Sequence, residues 1–278
     1  MGSLKVYATV AGFLALATSI TTARAADLLP PPPPPPMPEE PAPDVGGWYL
    51  RGDVGVSSYE GGKLWNSSFN NSTFTYGEGL GSGSFVGGGV GYQFNSWFRA
   101  DVTGEYRYST GYRAVDRDAS PGFLGYEKYR ADYSAGLFLV NGYFDLGNWW
   151  GFTPFVGGGI GHVNHNISGM ETSSLIVQPW SGVSGGTIRN KSHGDFAWAL
   201  HAGVAYDITP NVKMELAYRY LNLGEARTGV VDCFCGQTKP GFKIKDIEAH
   251  ELKIGVRWAL GGPAPAPAYE PAPLMRKY

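Results

Sequence analysis

Between Phe98 and Tyr108, polar side chains recur at every second position: Arg99, Asp101, Thr103, Glu105 and Arg107. Guanidinium and carboxylate groups so spaced can pair with one another, relay protons or line an ion path, provided one surface collects them. A period of two is the period of a strand. Phe98, Ala100, Val102, Gly104, Tyr106 and Tyr108 then share its opposite face.

Three other groupings could carry chemistry. His201 lies on the same strand parity as Asp195, a base and an orienting acid, but a hydrolase also needs a nucleophile within hydrogen-bond reach. No serine is placed to serve, so no catalytic residue is assigned and the chain is read as a non-enzyme. Cys233 and Cys235 flank Phe234 and can close a loop-local disulfide in an oxidising compartment, or remain two thiols. Neither they nor His162 and His165 have further ligands at metal-site spacing, so no metal and no cofactor are expected. Phe85–Gly91 and Phe155–Gly161 repeat the pattern FVGGG(V/I)G. A dinucleotide loop of that kind must run into a helix that aims its N-terminus at phosphates. Here strand-like residues follow, so the glycines are read as places where the sheet bends or large neighbours pack over the backbone.

The elements that must position the ions are strands of about 9 to 11 residues, the length that crosses a bilayer when tilted. Six carry charge. Arg51 and Asp53 oppose Trp48, Leu50, Val54 and Val56; Arg130 and Asp132 are set against Tyr133, Ala135, Leu137 and Leu139. Asp195 and His201 oppose Phe196, Trp198 and Leu200. Lys213, Glu215 and Arg219 oppose Met214, Leu216 and Tyr218, while Glu251, Lys253 and Arg257 oppose Leu252, Ile254 and Val256. With the strand at Phe98–Tyr108, fifteen ionic side chains are thus assigned to the face opposite an apolar one. Phe85–Phe94 and Phe155–Val163 complete a set of about eight.

That sidedness predicts an all-β fold, a closed antiparallel transmembrane β-barrel. Hydrocarbon offers backbone groups no partner, so a sheet in lipid must close on itself, and an outward Arg or Lys at mid-bilayer would cost roughly 2 to 4 kcal/mol. Inside a barrel of this size there is room only for side chains. The fifteen ions are therefore expected to form a lumen ion-pair network. A narrow ion path is the alternative.

Links alternate in length. Those at Asn95–Trp97, Leu146–Gly151 and Ile208–Asn211 are short, and those at Tyr59–Gly83, Ser109–Tyr129, Asn164–Gly194 and Leu221–Asp246 are long. Short periplasmic turns and long extracellular loops follow that rule. Aromatics band both ends: Trp48, Phe94, Trp97, Phe98, Tyr143, Trp149, Trp150, Phe152, Tyr206 and Trp258 at the short turns, and Tyr106, Tyr108, Tyr133, Phe196, Trp198, Tyr218 and Tyr220 at the long loops. Leu175–Val177 and Trp180 make the third long loop apolar. It reads as a hairpin continuing above the membrane, or as a patch for a surface partner.

Residues 1–25 are expected to be a signal peptide, with Lys5 ahead of the apolar run Val6–Ile20 and Ala23-Arg24-Ala25 at the cleavage point. Residues 26–46 then read as a proline-rich periplasmic spacer, 47–260 as the barrel, and 261–278 as a proline- and alanine-rich tail. Twenty-two basic and twenty-four acidic residues leave a formal charge of −2, which gives no reason to expect a nucleic-acid partner.

Leu139-Val140-Asn141-Gly142-Tyr143-Phe144-Asp145-Leu146, Phe152–Gly161, Glu215-Leu216-Ala217-Tyr218-Arg219-Tyr220 and His250–Val256 resemble the porin-like outer-membrane β-barrel family of alphaproteobacteria. The resemblance covers residues 46–260 and implies an eight-stranded surface protein of the bacterial outer membrane that supports the envelope, with some relatives called porins or binding small ligands such as haem. It carries over no catalytic residue. The expected partners are outer-membrane lipid and, through the loops, a surface ligand or another cell. The rival functions are a small-solute channel and a lipid-active barrel enzyme.

Overall fold

A computed structural model describes residues 46–67, 73–119, 121–122, 124–178, 182–234 and 236–261 of the 278-residue chain. The expected leader, the spacer up to residue 45 and the tail beyond residue 261 lie outside the described residues, as do Trp180 and Cys235.

Eight long strands form the wall: β1 (Gly47–Trp65), β2 (Gly83–Gln93), β3 (Phe98–Asp118), β4 (Leu124–Asp145), β5 (Phe152–Gln178), β6 (Lys191–Thr209), β7 (Val212–Asn222) and β8 (Lys243–Ala259). Each pairs antiparallel with the next. The ring closes where β1 meets β8, from Tyr49 opposite Ala259 to Trp65 opposite Lys243. Closure gives every wall strand two neighbours, so no edge is left to satisfy in hydrocarbon.

Each short turn is fixed by one polar side chain. Asn95 Oδ1 accepts from the backbone N–H groups of Trp97 and Phe98, Asn148 Oδ1 from Gly151, and Thr209 Oγ1 from Val212. Trp150 and Gly151 take positive φ, 53° and 85°, in the second turn, the kind of conformation that costs a non-glycine residue energy and needs such an anchor.

The outer wall is apolar. Leu50, Val54, Val102, Val140, Ile160, Leu200, Leu216 and Ile254 all point away from the lumen, bounded at the turn end by Trp48, Trp97, Trp149 and Trp258 and at the loop end by Tyr106, Tyr108, Phe196 and Tyr218. Tyr133 and Tyr143, expected in these two bands, are buried inside instead.

Strand β4 overturns one expected phase. Its inward residues are Tyr133, Ala135, Leu137, Leu139, Asn141, Tyr143 and Asp145, whereas Arg130 and Asp132 face out. Both faces of β4 are apolar through this stretch, since Phe138 and Val140 oppose Leu137 and Leu139. The two charges stand beyond the Tyr106–Tyr108 band, outside the hydrocarbon, where an outward ion meets no such penalty.

The long links are largely strand. β3, β4 and β5 run for 21, 22 and 27 residues, about twice a bilayer crossing. A bulge at Arg107/Thr110 shifts the phase of β3 as it leaves the membrane, sharpening local twist. β5 continues to pair with Gly182–Ile188, so the apolar loop is a hairpin, with Leu175, Val177 and Val183 exposed upon it. Above the lumen these extensions enclose an apolar core that includes Leu64, Leu80, Tyr112, Tyr129, Met170, Leu223, Phe242 and Ile244.

Inward glycines make room for large side chains. A Cβ on Gly91 would strike the Tyr49 ring, and one on Gly157 would come within 2.5 Å of the Tyr143 ring and 2.6 Å of the Gly142 carbonyl. The two glycine-rich repeats are therefore packing surfaces on β2 and β5.

Candidate functional site

At the turn end, Arg51 of β1 reaches across the lumen. Its Nη1 donates to Asp101 Oδ2 at 2.8 Å and to the Tyr143 hydroxyl at 3.0 Å, and its Nε and Nη2 donate to Asp53, both at 2.9 Å. Glu215 of β7 gathers three guanidiniums: Arg51 at 3.2 Å, Arg99 at 3.3 Å and Arg257 at 3.0 Å. Arg99 also meets Asp145 at 3.2 Å and lies over the rings of Tyr143 and Phe155, a contact that strengthens as water is removed.

A second tier lies toward the loops. Arg219 Nη1 and Nη2 donate to the two Glu105 oxygens at 2.5 and 2.6 Å, while its Nε donates to Glu251 at 2.6 Å. Arg107 pairs with the other oxygen of Glu251 and donates to the hydroxyls of Ser57, at 2.8 Å, and Tyr59, at 3.0 Å. Lys253 Nζ stands 3.8 Å from Asp53 and joins the tiers. Among the described residues, the two tiers bury six cations, Arg51, Arg99, Arg107, Arg219, Lys253 and Arg257, and six acids, Asp53, Asp101, Glu105, Asp145, Glu215 and Glu251, with a seventh buried acid, Asp116, apart from them in the loop-end extension. The numerical balance of the tiers lets burial proceed without a net charge in low dielectric, where an unpaired ion would be far costlier.

Of the seventeen sequence-assigned site residues, eleven are among the twelve buried ions of the two tiers, Asp145 being the twelfth, and Lys213 lies at the rim. Lys213 is half-buried at the turn-end mouth and pairs with Asp207 at 2.6 Å. Asp195 faces in, but its carboxylate accepts from the backbone N–H groups of Phe196 and Glu225 at 2.8 and 2.7 Å. It pins a loop-end corner and joins no ion pair among the described residues, which corrects its assignment. Arg130 and Asp132 lie on the outer face and leave the set for the reason given above. Cys233 is disulfide-bonded, and Cys235 lies outside the described residues.

Sequence reasoning missed Asp145, Asn141 and Tyr143. All three share the parity of Leu139, and reading β4 from Asp145 backward rather than from Arg130 forward would have found them. His201, set beside Asp195 in the sequence reading, instead places Nε2 3.2 Å from the Asn141 side-chain oxygen and its ring beside Tyr143.

Cavities among the described residues flank this interior at both ends. One of about 500 Å³ opens at the turn end among Tyr49, Gln93, Asp145, Lys213 and Arg257. The other, about 420 Å³, lies in the loop-end extension and is lined by aromatic and acidic residues, among them Tyr126, Tyr129, Phe242, Asp116 and Glu127. Asp116 accepts from the Tyr129 hydroxyl at 2.9 Å. Burial raises its pKa to about 6, helped by Glu127, against the opposing effect of the Tyr129 hydrogen bond.

A closed antiparallel ring, apolar and aromatic-banded outside and ion-paired inside, defines an integral barrel of a bacterial outer membrane. The chain belongs to the outer membrane protein beta-barrel domain family, which matches residues 13–259. It is similar to an uncharacterized protein of Brucella abortus, 32% identical over 277 residues that cover 87% of this chain and 94% of the relative. It is also similar to a Rickettsia bellii protein named "Putative adhesin", 28% identical over 221 residues covering 76% and 87% of the two chains. Among solved structures, the outer membrane protein OprG from Pseudomonas aeruginosa matches with a TM-score of 0.44 and 11% identity, over 77% of this chain and 96% of that one.

Proposed function

We propose that this barrel acts at the cell surface as an interaction protein, its ion-filled stem serving as a rigid anchor for the loop-end extension. The observation that carries the reading is the Glu105–Arg219 fork. In the ring, β3 and β7 stand four strands apart, so a pair joining them spans the full width of the lumen. With Arg51–Glu215 and Arg107–Glu251, the fork makes the six buried cations and six buried acids a cross-linked plug. The apolar core above it adds a second closure. Neither suits the passage of solutes, which favours the surface role over the small-solute channel.

The extension supplies what a surface role requires: hairpins well clear of the lipid, exposed Leu175, Val177 and Val183, and the cavity around Asp116. The name of the Rickettsia bellii relative points the same way. The test pairs two measurements on the full chain. Purified protein in planar bilayers is expected to give no stable channels, and bacteria displaying it are expected to adhere to host or neighbouring cells more than bacteria displaying a version with residues 171–188 replaced by a short turn. Stable wild-type channels together with unchanged adhesion would return the channel reading.

A further inference from the structure

We propose that the outward face of the β3–β4 hairpin, through Arg113, Arg117, Lys128 and Arg130, is a docking surface for the phosphorylated sugar headgroup of an outer-leaflet glycolipid. The register brings the four together. Arg113 is paired directly with Arg130, Val115 with Lys128, and Arg117 with Tyr126. The neighbours Tyr112, Ala114, Tyr129 and Ala131 are buried inward, so the cations take the outward side. Like charges directly opposed in a sheet repel. Among the described residues none of the four makes an ion pair within 4.0 Å, and Arg117 Nε is buried without a hydrogen-bond partner.

Two acids share this face: Asp132 opposite Gly111, and Glu171 opposite Arg130. They leave an excess of two positive charges. A second outward pair of like charges, Lys63 opposite Lys245 on β1 and β8, is relieved within the protein. Lys63 meets Asp246 at 3.5 Å and Lys245 lies 4.7 Å from the centre of the Trp65 ring. On the β3–β4 ladder Glu171 and Asp132 share the face without closing an ion pair within 4.0 Å, and the remaining excess calls for an anion from outside.

Height and direction select the anion. Tyr106 and Tyr108 mark the outer hydrocarbon boundary on the same face of β3. At about 3.3 Å per residue and a tilt of about 45°, Arg113 stands roughly 10 Å above that boundary, in the headgroup layer. The face is turned sideways, toward the leaflet, rather than up into solution. Phosphate there would take charge-assisted hydrogen bonds from guanidiniums on two adjacent strands.

The full chain is reconstituted in phosphatidylcholine vesicles containing either lipid A with both phosphates or the same lipid dephosphorylated, and lipid bound to the barrel is measured by native mass spectrometry. Wild type is expected to retain the phosphorylated form preferentially. Arg113→Gln with Arg130→Gln is expected to weaken that preference by about thirtyfold, the effect of removing two headgroup-level cations. Lys63→Gln with Lys245→Gln is expected to leave it intact. Heat-modifiable migration checks folding, and Lys128→Gln alone replaces the double variant if the latter fails to close.

Equal retention of both lipids by wild type, or equal loss in the Lys63 and Lys245 variant, would overturn the proposal. A third arm adds soluble heparin to vesicles of phosphatidylcholine alone. Saturable heparin binding that the Arg113 and Arg130 variant loses, with lipid retention unchanged, would assign the face to a soluble polyanion instead and overturn the lipid.

Discussion

Arg219 grips Glu105 with both terminal nitrogens, at 2.5 and 2.6 Å, across the whole width of the barrel. Removing Glu105 leaves Arg219 with Glu251 alone, and removing Arg219 leaves Glu105 with only Arg107 at 3.7 Å; either loss unbalances a buried charge, which typically costs about 3 to 5 kcal/mol, whereas replacing both with apolar groups relieves much of that penalty. Glu105→Leu is therefore expected to lower stability to urea in lipid vesicles more than Glu105→Leu combined with Arg219→Leu. A double variant weaker by the sum of two independent losses would mean that the fork contributes no coupling.

The same geometry makes conductance a designed outcome. Wild type is expected to be electrically silent, and Glu105→Ala with Arg219→Ala and Glu215→Ala to produce measurable current, because three of the side chains that bridge the interior would be gone. Silence in the triple variant, shown to be folded, would locate the closure in the apolar core of the extension rather than in the ions.

Asp116 gives a pH signature. Its pKa rises from 3.8 to about 6 on folding, so the folded state binds the proton more tightly than the unfolded one. Its contribution to stability is then fully present below about pH 4, is lost as pH climbs to about 6, and stays lost above. Asp116→Asn is expected to raise the thermal midpoint at pH 7.5 relative to wild type and to narrow that gap at pH 4.5. Tyr129 donates to this carboxylate, Glu127 is opposite in register, and Asp118 is nearby. Matched pH profiles for the two proteins would refute the assignment.

Gly157 lies under the Tyr143 ring, with no room for a methyl group. Gly157→Ala is expected to destabilise the folded barrel by about 1 to 3 kcal/mol, the range for overpacking a filled interior. Gly52→Ala faces outward, where a Cβ meets nothing nearer than 4.0 Å, and is expected to be neutral. Urea midpoints for the pair measure the difference.

The wall was legible because hydrocarbon enforces a rule: where a strand crosses lipid, an ion has one permitted side. Arg51, Arg99, Glu215 and Arg257 could be placed from parity alone. Outside the lipid the rule lapses, and there the reading failed at Arg130 and Asp132. Their parity was carried down a strand whose two faces, Leu137 and Leu139 against Phe138 and Val140, gave no correction. Asp195 was assigned the right direction but the wrong partner, since a backbone N–H brought near by the turn at Gly224 leaves no mark in composition. Apart from the hairpin read at Leu175–Val177, the extension was hidden for a related reason. Its inward Tyr112, Tyr129, Ile244 and Ile247 sit in long links whose polar outward residues resemble loop sequence.

The ties across the interior join residues far apart in the chain: Arg51 waits for Glu215, Arg107 for Glu251, and Glu105 for Arg219. A nascent sheet that ends at β6 already holds the first of each couple and none of the second. Arg51 and Arg99 already meet Asp53, Asp101 and Asp145, but Arg107 and Glu105 must keep water until β7 and β8 arrive, so a half-built wall stays wet on its concave side. The last two strands thus dry the interior as they dock, which makes seam closure between β1 and β8 the step that commits the molecule to the bilayer.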